Sequence, residues 1–197
     1  MLSTELFGFI GGVLSIFFGL PQALRIRRLG HGRGLSLISW LLQLGVATSW
    51  AAYGFDKNSP SLLATNMAAG LINASVVWVI IHNRVKSILA IATLVAIVAG
   101  LVLTLPASIA SVLLISLVFA QTPQVYKSYK NIKIGKDSAV SVVAMSVSAL
   151  SGIFWIIYAV LINDALLVLC NAIVLTNNIA IIAFEITGKR SRALDAA

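Results

Sequence analysis

Four residues of this chain could together hold a small polar ring: Trp50 and Asn66, and, 105 positions further on, Trp155 and Asn171. An indole offers a flat, rigid apolar surface. A carboxamide offers two donors and an acceptor, enough to match neighbouring hydroxyls. Two of each around one axis would sandwich a ring with an apolar C–H face and bond its hydroxyl rim, and no charge is needed. One turn before the tryptophans stand Val46 in one copy and Ser151 in the other, which makes one wall more polar and able to orient a ligand. The competing roles for such residues are structural. A tryptophan near a helix end anchors at a membrane interface, and an asparagine within the membrane bonds helix to helix. Trp40 and Trp78, whose repeat positions hold Met145 and Ala183, are read as interfacial anchors, and Asn73 and Asn178 as helix-to-helix bonds.

The duplication extends well beyond these four. Pro21-Gln22 returns as Pro123-Gln124, an offset of 102. Past the next loop the offset is 105, pairing Ser36 with Ser141, Tyr53 with Tyr158, Asn58 with Asn163 and Asn73 with Asn178. The three extra residues fall in a basic loop, where insertions are tolerated. Self-similarity at a fixed offset marks a repeated unit.

The elements that carry these residues must lie in a membrane. The chain has 197 residues, 59% hydrophobic and 10% charged, against about 25% charged in soluble domains. Mean hydropathy is +1.00. A helix crosses the hydrocarbon with about 20 largely apolar residues, and seven segments qualify: 6–24, 35–55, 61–81, 88–105, 108–126, 139–162 and 165–186. These runs are too long and continuous for the alternating strands of a barrel. On this layout Trp50 and Asn66 sit at matching depth, roughly 6–9 Å below one surface at 1.5 Å per residue, and Trp155 and Asn171 repeat the arrangement.

Lys and Arg mark the cytoplasmic side. Of the 14 basic residues, 13 fall on one side: Arg25, Arg27, Arg28, Arg33, Arg84, Lys86, Lys127, Lys130, Lys133, Lys136, Lys189, Arg190 and Arg192. Only Lys57 lies opposite. The N-terminus is therefore expected outside and the C-terminus inside, and the net charge of +8 reads as a topology signal rather than a nucleic-acid surface. Nothing basic precedes the first span, so it is not read as a cleaved signal peptide. The single cysteine, Cys170, excludes an intrachain disulfide and a cysteine metal cluster, and is read as a small buried hydrophobe.

Three helices form each repeat, and an odd number of crossings would invert the second copy. The fourth span, with no polar residue beyond Thr93 and Thr104 and no repeat partner, restores the orientation. The expected fold is an all-α integral membrane protein of seven transmembrane helices, two parallel three-helix bundles joined by an inversion linker helix. Its parts are 1–83, the linker 84–106, 107–188 and a short basic tail 189–197. Parallel repeats are related by an axis along the membrane normal.

The motifs GLPQALR, GLSL and WAAYG, returning as TPQVYK, AVSV and WIIYA, resemble the PQ-loop superfamily, and within it the SWEET and SemiSWEET sugar transporters. The resemblance covers nearly the whole chain. Its pointer to the sugar-carrying branch is a Trp followed 16 positions later by an Asn, in both halves. It implies that Trp50, Asn66, Trp155 and Asn171 line a sugar pocket, and that Pro21-Gln22 and Pro123-Gln124 are hinges of a cytoplasmic gate. A proline removes a backbone hydrogen bond, and Gln22 and Gln124 are expected to serve the freed carbonyls. Tyr53 and Tyr158 are either outer-gate hydroxyls or interfacial anchors; Asp56 with Lys57, and Asp164, are placed to latch that gate. Spans two and six contain no proline, as in the short bacterial members.

Ion-coupled carriers usually hold an ionisable residue inside the membrane. The six carboxylates, Glu5, Asp56, Asp137, Asp164, Glu185 and Asp195, are all placed in loops or at helix ends, and His31 and His82 are read as solvated. Uniport by alternating access is expected, with no cofactor, metal or enzyme chemistry. The expected partners are a small neutral sugar and the bilayer, with no nucleic acid, and a monomer is sufficient for a complete pocket. The short loops point to a cell (inner) membrane. Two alternatives stand: a PQ-loop carrier of amino acids or another small metabolite, possibly proton-coupled, and a non-transporting seven-helix receptor or scaffold.

Overall fold

Helix boundaries in this chain are set by short polar side chains that recur in register. Ser36 accepts from the backbone N–H of Ser39 at 3.2 Å and starts one helix. Ser141 accepts from Ala144 at 3.2 Å and starts another. Each supplies a partner to a backbone donor that the helix itself cannot satisfy. In the computed structural model, residues 2–29, 36–119, 122–133 and 140–195 are described. They form eight helices: α1 (Leu2–Leu29), α2 (Leu37–Asp56), α3 (Pro60–Ile81), α4 (Arg84–Thr104), α5 (Ala107–Val118), α6 (Thr122–Lys133), α7 (Val142–Leu161) and α8 (Ala165–Asp195). No strand occurs among the described residues. The chain is all-α.

Five stretches are long and apolar enough to cross a membrane: Pro60–Ile81, Arg84–Thr104, Ala107–Ile132, Val142–Leu161 and Ala165–Gly188. The third combines α5 and α6. This is consistent with an integral membrane protein. The two remaining expected spans form helices outside that set. The shorter apolar stretch Ser3–Phe17 lies in α1, and α2 is diluted by Ser39, Gln43, Thr48 and Ser49.

The hairpin turns show the duplication at atomic detail. After α2, Asn58 N–H donates to the Phe55 carbonyl at 3.1 Å and Ser59 N–H to that of Gly54 at 2.9 Å. After α7, Asn163 N–H donates to Val160 at 3.1 Å and Asp164 N–H to Ala159 at 2.9 Å. Both are Schellman turns. Asn58 and Asn163 take the left-handed φ that the motif needs, 51° and 56°. Asparagine tolerates that region, whereas a β-branched residue clashes there. Asn58→Gly or Asn163→Gly is expected to leave thermal stability nearly unchanged. Asn58→Val or Asn163→Val is expected to cost about 1–2 kcal/mol, read by thermal unfolding in detergent.

The chain divides into two compact units, Met1–Leu114 and Ile115–Ala197. In the first, α1 packs on α3, α2 on α3 and α4, and α3 on α4. Glu5 Oε2 accepts from Ser61 N–H at 2.8 Å. A Cβ on Gly12 would fall inside the van der Waals shell of Thr65. Contacts that advance together along both helices mean that α1 and α3 run parallel. The core nearest the Pro-Gln end joins Ala23, Ile26, Trp40, Val76 and Val77, with Ile72 and Ile80 packed against it. Trp40, read from sequence as an interfacial anchor, is instead 5% exposed within this cluster. Trp78 does lie at the surface. In the second unit α6 and α7 both pack on α8, and Cys170 is buried as expected.

Candidate functional site

Close approach of α2 and α3 fixes the height of their side chains. A Cβ on Gly54 would lie 2.7 Å from the Leu63 backbone nitrogen and 2.8 Å from Leu62 Cβ, so Gly54 and Leu62 are level. Four residues inward along each antiparallel helix lie Trp50 and Asn66. Further in, Gly70 faces Ala47, with a built Cβ 3.9 Å from that of Ala47. The α7–α8 hairpin repeats this register. Asn178 Nδ2 donates to Ser148 Oγ at 2.9 Å, and seven residues outward along each helix lie Trp155 and Asn171. Each Trp therefore shares a level with the Asn of its own unit.

Both pairs are held in the same way. Trp50 meets the edge of Tyr53 with ring centroids 5.7 Å apart and an interplanar angle of 88°. Trp155 meets Tyr158 at 5.7 Å and 79°. Such edge contacts contribute about 0.5–1.5 kcal/mol beyond buried area. Asn66 Nδ2 donates to the Leu62 carbonyl at 2.9 Å, and Asn171 Nδ2 to that of Leu167 at 2.9 Å. This bond uses one amide proton and fixes the amide plane. The other proton and Oδ1 make no further bond among the described residues, which leaves each amide one donor and one acceptor of the kind that bonds hydroxyls. Trp155 and Ser151 are buried; Trp50, Val46, Asn66 and Asn171 are half-buried.

No family model matches the chain, and no curated protein matches it.

The tyrosines nearest the two hairpin turns are buried, Tyr53 at 8% and Tyr158 at 1% exposure. Asp56 pairs with its neighbour Lys57 at 3.6 Å, both exposed, and Lys57 Nζ stands 5.5 Å from the Tyr53 ring centroid. A pair so exposed contributes ~0–1 kcal/mol. Asp164 caps α8, its Oδ1 accepting from Leu167 N–H at 2.9 Å, as Ser59 caps α3 through Leu62 N–H at 3.2 Å. Asn178 bonds helix to helix, as read from sequence.

On the opposite flank, Pro21 lies inside α1 and Pro123 in the first turn of α6. The side chain of Gln22 lies outside the described residues. Among the described residues Gln124 serves no freed carbonyl: its Nε2 donates to Ser128 Oγ at 3.4 Å. Ser128 in turn donates to Glu185 Oε1 at 2.7 Å. Glu185, placed from sequence at the end of the last span, lies three residues before the apolar stretch ends at Gly188, is 3% exposed, and sits in a helix that continues to Asp195. A signal for it was present in the repeat. At the offsets of 102 and 105, Ser128 and Glu185 stand where the first copy has Ile26 and Ile80. His82 is exposed as expected; His31 and Asp137 lie outside the described residues.

Proposed function

We propose that this chain is a membrane transporter that moves a small neutral sugar by facilitated diffusion, as its resemblance to the SWEET and SemiSWEET families implies. On this reading seven helices form two parallel three-helix repeats joined by α4. The N-terminus lies outside the cell (inner) membrane and the C-terminus in the cytoplasm. Trp50, Asn66, Trp155 and Asn171 face one central pocket with Val46 and Ser151. Pro21-Gln22 and Pro123-Gln124 work the cytoplasmic gate, and Tyr53, Tyr158 and Asp56 the outer one.

The observation that carries this reading is the twinned Trp–Asn level, with the same ring contact and the same amide bond in both units. Nothing in helix packing alone requires an indole and a half-engaged carboxamide to recur together. The pocket offers apolar faces and neutral donors, which suit a ring of hydroxyls and leave binding weak enough for release. The test is counterflow of labelled sugars into proteoliposomes with no imposed ion gradient. Uptake competed by unlabelled sugars and not by amino acids is expected. Competition by amino acids, or uptake only under a pH gradient, would overturn it.

A further inference from the structure

We propose that Gln43 and Asn73 form a second ligand-contact level in the first unit, deeper than Trp50 and Asn66, that bonds the hydroxyls of a second sugar ring. The ligand is then two linked rings lying along the helices. This rests on the transporter reading above and names the length of its substrate.

The register of the α2–α3 hairpin places the level. Gly70 faces Ala47. Gln43 lies four residues inward of Ala47 on α2, and Asn73 three inward of Gly70 on α3, so the two share a height. They stand seven residues from Trp50 and from Asn66, about 10 Å deeper at 1.5 Å per residue. The faces agree as well. Ser39, Gln43, Val46 and Trp50 follow at helical spacing along one stripe of α2, and Asn66 and Asn73 along one stripe of α3. The stripes that carry the Trp–Asn pair carry this pair too.

The two units treat this level differently. Asn73 and Asn178 are both read from sequence as helix-to-helix bonds, and of the two Asn178 makes one. Its Nδ2 donates to Ser148 Oγ at 2.9 Å, and the residue is 1% exposed. The first unit has Gln43 where the second has Ser148. Neither Gln43 nor Asn73 bonds through its side chain among the described residues. Gln43 is exposed and Asn73 half-buried. The level lies about 9 Å from the start of α2 and about 12 Å from the end of α3. Lipid at that depth offers an amide no partner, so two open carboxamides there call for hydroxyls or water. Each supplies two N–H donors and a carbonyl acceptor, without charge, which suits the neutral rim of a sugar. A single ring resting against the indoles ends short of a level about 10 Å away, and a second ring joined to it reaches.

Glucose and maltose test this, because they differ by one ring of the same kind. Counterflow of each is measured in proteoliposomes at concentrations below saturation. The wild-type protein is expected to carry both. Gln43→Leu with Asn73→Leu removes both amides with little change of shape. It is expected to lower maltose counterflow roughly tenfold, the effect of losing two neutral hydrogen bonds. Glucose counterflow is expected to stay unchanged, which also shows that the variant is folded. Gln43→Ser gives the first unit the Ser–Asn pair of the second. The two side chains then bond each other, and maltose flux is expected to fall while the level stays polar. A wall that only holds water would tolerate that change.

Maltose flux undiminished in either variant, or both sugars falling together in both variants, overturns the second level and leaves the transporter reading standing. A wild-type protein that carries glucose and not maltose does the same. Uptake of neither sugar by the wild-type protein overturns both.

Discussion

Replacing both Trp50 and Trp155 with alanine is expected to reduce sugar counterflow at least about 30-fold per reconstituted protein. Truncating a buried aromatic anchor in a binding site typically costs about 2 kcal/mol or more, and 1.4 kcal/mol is a factor of ten. In the proposed function both indoles serve one ligand, so the second loss need not add fully to the first. Each substitution also removes an edge contact to Tyr53 or Tyr158, so thermal unfolding in detergent must be compared alongside. Phenylalanine at both positions keeps a flat ring and is expected to retain part of the flux. Undiminished transport in the alanine variant would remove the indoles from the pocket and the proposed function with them.

Gly12→Ala is expected to destabilise the first unit by about 1–3 kcal/mol, the usual cost of forcing a methyl into a packed interior. The added Cβ would overlap Thr65 Cγ2, Cβ and Oγ1. Thr65 cannot yield easily: its branched side chain is stiff, and its hydroxyl donates to the Ser61 carbonyl at 2.7 Å. Gly100→Ala is the control, since nothing lies within 4 Å of a Cβ there. Its melting temperature is expected to stay level or rise, because alanine favours a helix over glycine by about 1 kcal/mol. Equal melting of the two variants would mean that α1 and α3 do not approach as described. The second copy has Leu114 and Cys170 at these positions, so this close approach was not carried by the duplication.

The parts legible in the sequence are those set by local polar chemistry. Ser36, Ser141, Asn58 and Asn163 each do the job their type does at helix ends, and the repeat offset pairs them without any structure. The Trp–Asn level also followed from spacing, because rise per residue is fixed. The packed core was not legible. In a soluble protein apolar periodicity marks the buried face, but a helix in lipid is apolar all round. Leu62 is 2% exposed and Leu71 is 71% exposed on the same helix, with no difference in type to separate them. Trp40 was misplaced for the same reason, since an indole near a helix end suits both an interface and a core. Glu185 was placed at the end of the last span, and the apolar stretch does end at Gly188, but its burial was not read. Its burial follows from α8 continuing past it and from Ser128 arriving from another helix. Repeat positions where a hydrophobic pair becomes a polar pair are the sequence trace of such a site.

The matching Schellman turns bear on how the chain is made. Each joins helices that meet through residues close in sequence, such as Ser148 and Asn178, 30 apart. At about 5–20 residues per second of synthesis, both arms of a hairpin emerge within seconds of each other. Low sequence separation favours quick docking. The α2–α3 and α7–α8 hairpins are thus suited to insert as ready-paired units during translation, with the first already docked before the second leaves the ribosome.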